Sequence, residues 1–119
     1  MSPTDSPMTH IGNLSELVEI PPQGVSSKSA LAADGMRVVV FAFDAGQSLS
    51  EHSAAVPLMV QVMSGAVEVA AAGDSVSLQP GGMVFLAART PHSVRASEPS
   101  VVQLTLVGRP APGGAPATT

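Results

Sequence analysis

The chain has 119 residues, 45% of them apolar and only 12% charged, with a net charge of −4 and no cysteine. That length fits one domain, able to bury an adequate core without disulfides or a structural metal. The composition excludes disulfides, cysteine zinc sites and thiol catalysis. With Lys28 as the single lysine it also excludes a basic nucleic-acid-binding face.

Residues 1–10, "MSPTDSPMTH", are polar and carry neither the basic nor the apolar region of a signal peptide. They are expected to form a disordered or arm-like tail. No apolar run approaches the roughly 18–20 residues of a membrane span. The expectation is a cytoplasmic protein that meets no membrane. The domain is expected over residues 11–108. It begins with "NLSELVEIPP", which fits one or two helical turns capped by Asn13 or Ser15 and stopped by Pro21 and Pro22. An arm along a sheet edge fits that stretch equally well.

From Val25 onward the punctuation is that of an all-β chain. Short β-rich runs are broken by Asp34-Gly35, Ser64-Gly65, Gly73-Asp74 and Pro80-Gly81-Gly82. Their length and spacing predict a sandwich or barrel. In "PLMVQVMSG", Leu58, Val60 and Val62 share one face, and Met59, Gln61 and Met63 share the other. The first face reads as core. The second carries no charge and is expected to be covered by a sheet layer, the N-terminal arm or a second copy of the chain. The low charge points the same way, to a homodimer. Met36, Met59, Met63 and Met83 read as packing residues rather than copper ligands. Residues 109–119, "RPAPGGAPATT", read as a flexible Pro/Gly/Ala tail.

Two segments hold the chemistry, "SEHSAAV" with His52 and "RTPHSVRA" with His92. Around them the spacing resembles the two motifs of the cupin superfamily. Gly46, His52, Ala54, Leu58 and Gly65 fall at the glycine, histidine, histidine, glutamate and glycine positions of the first. Gly81, Ala87, Arg89, His92 and Ala96 fall at the glycine, proline, glycine, histidine and asparagine positions of the second. The resemblance spans about residues 35–107.

It implies a small all-β barrel, the RmlC-like cupin double-stranded β-helix with a jelly-roll-like layout, preceded by a short helical turn or arm. It also implies dimerisation through a shared N-terminal strand, and strand starts that bring His52 and His92 face to face across a cavity. Cupins with a full ligand set bind iron, manganese, nickel or zinc through three histidines and a glutamate. Here only His52 and His92 remain as metal-site residues, because Ala54 and Leu58 replace the other two. Candidate third ligands are Gln103, Glu51 and His10, although strand alternation turns Glu51 from the face of His52 unless the backbone bulges. A ligand pocket is expected around Ala54, Leu58, Val60 and Gln103. Arg89 and Arg95 flank His92 and could meet an anion. Ser50, Ser53 and Ser93 lie near the histidines but lack an orienting acid.

Three functional classes follow. One is a metal-dependent enzyme acting on a small organic molecule. The second is a metal-free ligand-binding or sensory protein. The third is a vestigial barrel with a structural or oligomerising role.

Overall fold

The computed structural model describes residues 7–108. The predicted tail at 109–119 lies outside them, as does most of the N-terminal one. The first element is a single 3-10 turn, Leu14–Leu17. Asn13 caps it, its side chain accepting the Ser15 amide at 3.0 Å, which satisfies a donor that the short turn leaves free. No described helix is long and apolar enough to cross a membrane.

Nine strands follow: β1 Val25–Ala33, β2 Met36–Phe43, β3 Ser48–His52, β4 Leu58–Ser64, β5 Val67–Ala71, β6 Asp74–Leu78, β7 Met83–Leu86, β8 His92–Ala96 and β9 Ser100–Val107. They form two antiparallel sheets, a larger one in the order β1-β2-β9-β4-β7 and a smaller one in the order β3-β8-β5-β6. The chain crosses repeatedly between them, so neighbours in space are seldom neighbours in sequence. This is the expected jelly-roll-like barrel.

The core lies between the sheets, where alternation points every second residue inward. Phe41 and Phe43 of β2 stack there with centroids 6.2 Å apart, among Val60, Val69, Val94 and Leu104. β2 is buried on both faces from Val38 to Phe43. A strand covered twice needs apolar residues throughout, which explains the unbroken run "VVVFAF". Its outer face is covered where the 3-10 turn packs against β1 and β2. The carboxylate of Asp44 ties the preceding chain down by accepting the Gln23 amide at 2.7 Å.

Two turn assignments shift. Ala72 and Gly73, with φ of 55° and 78°, make the turn between β5 and β6, and Asp74 already belongs to β6. Gly65 closes no hairpin. It links β4 in the larger sheet to β5 in the smaller, because β4 pairs with β7 and β9. Its φ is +82°, and a Cβ there would run into Ser100 Oγ and the Pro99 carbonyl. Close approach of backbone, rather than hairpin geometry, requires glycine at this position.

Candidate functional site

His52 closes β3 and His92 opens β8. They are direct cross-strand partners in the smaller sheet, with ring centroids 4.4 Å apart and a tilt of 56°. The pair therefore forms side by side on adjacent strands, not across a cavity as expected from the resemblance.

Local backbone decides this meeting. Leu49 pairs with Val94 and packs on the core, so regular alternation would turn His52 outward three residues later. The ladder instead shifts register between Leu49 and His52. One extra residue on β3 brings His52 onto the inward face that His92 shares with Val94. Glu51 stays exposed.

Each imidazole is anchored in the same way. His52 Nδ1 lies 2.8 Å from the Ser50 carbonyl, and His92 Nδ1 lies 2.9 Å from the Thr90 carbonyl. A carbonyl only accepts, so both Nδ1 atoms carry the proton and donate. In a neutral ring Nε2 is then a bare lone pair. His92 is 1% exposed, and its Nε2 is buried with no hydrogen-bond partner. Burial is the main cause that pushes the His92 pKa below its usual 6.5; the bond to Thr90 opposes this, and the charge of His52 adds to it. His92 is thus neutral at pH 7, with an inward-facing acceptor that no described residue satisfies.

The loop before His92 keeps another trace of the family pattern. Arg89 stands at the motif's glycine position and has φ of +64°, a left-handed conformation that suits glycine. Its amide donates to the Ala54 carbonyl at 2.7 Å, which holds the loop on the chain between β3 and β4. The Arg89 side chain is exposed, as is that of Arg95.

The remaining expected residues divide into two groups. Ala54, Leu58 and Val60 are 2%, 2% and 0% exposed and belong to the packed core. Gln103 lies on the opposite face of β9 from Val102 and Leu104, where its Nε2 donates to Thr105 Oγ1 at 3.2 Å. It pairs in register with Gln61, also outward-facing, and so does not reach the histidines. His10 is exposed on the N-terminal segment.

A resident metal fits this arrangement poorly. The carbonyl-anchored Nδ1 atoms resemble the support that metal-binding histidines receive. Yet a catalytic metal ordinarily takes three protein ligands, and the motif's other two positions hold buried aliphatic groups. Among the described residues, no group of three His, Cys, Asp or Glu side chains could hold a metal ion.

A slot lies near the pair, although neither histidine lines it. A cavity of about 320 Å³ lies between β5–β6 and β7, lined by Val69, Ala71, Val84, Leu86 and Thr90, with Asp74 among its polar groups. Ala71 sits opposite His92 in the β5–β8 ladder, and Thr90 accepts the His92 bond. Sequence reading missed this slot because its walls come from three strands and a loop. The only signal was the turn chemistry that places those strands.

No family model matches the sequence, and no curated protein matches it. Solved structures do. A conserved protein of unknown function from Streptococcus pyogenes superposes with a TM-score of 0.77 at 23% identity, covering 91% of this chain and 95% of that one. A cupin superfamily protein from Desulfitobacterium hafniense gives 0.76 at 18% identity, covering 86% and 94%. An RmlC-like cupin protein from Desulfovibrio desulfuricans gives 0.74 at 27% identity, covering 84% and 96%.

Proposed function

We propose that this chain, whose fold is that of the cupin structures it superposes on, binds a small molecule at the His52–His92 end of its barrel. Fold alone does not choose among the many activities such barrels host. The observation that carries the reading is the orphaned Nε2 of His92. An unsatisfied buried acceptor costs roughly 1–3 kcal/mol. An apolar residue in its place would avoid that, so a bound partner gives the imidazole its use. Buried His92 supplies an acceptor, and the slot near it supplies apolar contact. This reading concerns binding and assigns no catalytic step.

A second reading rests on the carbonyl-anchored Nδ1 atoms. Two free Nε2 positions can hold a divalent ion such as zinc, nickel, manganese or iron, with the ligand or water completing the shell. One experiment separates the two. Wild type and His52→Ala/His92→Ala are dialysed against each ion, analysed for metal content, and screened with small organic molecules by thermal shift. Organic stabilisation lost in the double variant, without stoichiometric metal, supports the first reading. Stoichiometric metal lost in the double variant supports the second. Neither effect leaves a vestigial barrel.

The protein is further proposed to act as a homodimer through the outer face of the larger sheet. There Met59, Gln61 and Met63 are half-buried, while Met83 and Phe85 are 53% and 61% exposed. The register places Phe85 beside Met59 and Met83 beside Gln61, making one continuous uncharged patch on β4 and β7. A second copy presents the same neutral patch, as a two-fold interface requires.

A further inference from the structure

We infer that the barrel holds a second site, separate from the histidine pair, where Arg37 binds the head of a short-chain carboxylate. It uses neither histidine, so it goes beyond the reading proposed above and is tested apart from it.

Strand register places Arg37. Val39, Phe41 and Phe43 of β2 belong to the core between the sheets, and alternation puts Arg37 on the same inward face. It stands opposite Ala32 on β1 and Leu106 on β9. Leu106 in turn stands opposite Leu58, and Leu58 opposite Leu86. One row therefore crosses the larger sheet as Ala32, Arg37, Leu106, Leu58 and Leu86, a single cation among aliphatic groups. Lys28, Arg89 and Arg95 are exposed, whereas Arg37 is half-buried. A permanent charge at an inward strand position is uncommon.

Open space adjoins this residue. A cavity of about 260 Å³ lies between the β1–β2 turn, the end of β9 and the chain linking β3 to β4, and Arg37 lines it together with Ala32, Met36, Val56 and Leu106. Val56 and Leu106 are buried core residues, so the cavity reaches apolar side chains. Such walls suit a hydrocarbon body, and the planar guanidinium fork matches a carboxylate head. Taking roughly 30 Å³ for each non-hydrogen atom, the cavity holds on the order of eight. Asp34 also borders it, but on the exposed turn, where water screens its charge more than that of half-buried Arg37. The Asp34 carboxylate weighs against a dianion and leaves a monoanion as the fitting head.

Hexanoate, 1-hexanol, hexylammonium and inorganic phosphate, each titrated at pH 7.5 into the full chain labelled with ¹³C-methyl methionine, test this. The Met36 methyl lines the cavity and is identified by its loss in Met36→Leu. Hexanoate is expected to shift it saturably and at least about tenfold more tightly than hexanol, the margin of one charge-assisted pair, while hexylammonium and phosphate leave it in place. Arg37→Met keeps an unbranched stem and removes the charge, and is expected to bring hexanoate down to the hexanol level. The comparison of head groups needs only wild type, so it decides the ligand class even where that variant does not fold. Equal responses to hexanoate, hexanol and hexylammonium, or phosphate binding as tight as hexanoate, overturn the carboxylate class. Wild-type hexanoate affinity in Arg37→Met overturns the role of Arg37. His52→Ala/His92→Ala is expected to bind hexanoate as wild type does; lost binding with an unchanged circular dichroism spectrum overturns the separate site. If no probe moves Met36, the inference falls while the histidine reading keeps its own test.

Discussion

Replacing His92 by leucine should make the protein more stable. The imidazole is 1% exposed and its Nε2 has no partner. Removing that unsatisfied acceptor recovers about 1–3 kcal/mol of desolvation. The substitution also removes the 2.9 Å bond from Nδ1 to the Thr90 carbonyl. A neutral bond of this kind contributes about 0.5–1.5 kcal/mol. The Thr90 carbonyl is not stranded by the change, because Thr90 is half-buried and lines the open slot, where water can reach it. Leucine fits the neighbourhood of Val94 and Ala71 with similar volume. The net expectation is a gain of about 1 kcal/mol, or about 4 °C in Tm for a domain of this size. The chain has no Trp or Tyr, so urea unfolding is best followed by far-UV circular dichroism. The midpoint should rise with the slope unchanged. A loss of 1 kcal/mol or more would refute the reasoning, since it would mean that the buried Nε2 is satisfied within the folded protein.

Further outcomes follow from the same structure. Because the folded state holds the His92 pKa below 6.5, the unfolded chain binds the proton first as pH falls. Stability should be full above pH 6.5 and decline below it until the folded value is passed; His92→Leu should flatten that decline in urea midpoints taken across the range. Asp44, depressed mainly by the Gln23 amide and then by Ala45, should add a separate loss only below its ordinary 3.8, and Asp44→Asn should remove it. Gly65→Ala should cost at least about 3 kcal/mol, since a clash with the Pro99–Ser100 backbone adds to a left-handed φ. Gly73→Ala, with φ of +78° but open space around it, should cost only about 1–2 kcal/mol, and equal midpoints for the two variants would remove the close-approach argument. If the proposed dimer forms, Met59→Glu should shift it to monomer or to insolubility in sedimentation velocity, and an unchanged monomer mass in both proteins would end the dimer proposal.

Much of the barrel was legible from residue patterns. The alternation of Leu58, Val60 and Val62 against Met59, Gln61 and Met63 separates core from outer face, as β4 shows. Asp34-Gly35 marks the β1–β2 turn, and both residues adopt positive φ. Motif spacing also survives its own substitutions: Arg89 keeps the left-handed backbone of the glycine it replaces. The site was legible only as a list of residues. Gln103 looked eligible because a sequence does not reveal which face of a central strand meets the histidines. Ladder register alone sends it outward beside Gln61.

By itself, then, the sequence determined the periodicities, most of the turns and the aliphatic residues at positions 54 and 58, because these depend on residues close together in the chain. The tertiary structure decided that His52 and His92 meet at all. Their encounter depends on one extra residue between Leu49 and His52, set against a strand forty positions away. It also decided that Ala54 and Leu58 lie in the buried core, and that a slot opens at the parting of β6 and β7. Those outcomes come from packing volume and sheet pairing, which are properties of the assembled sheets and not of any single segment.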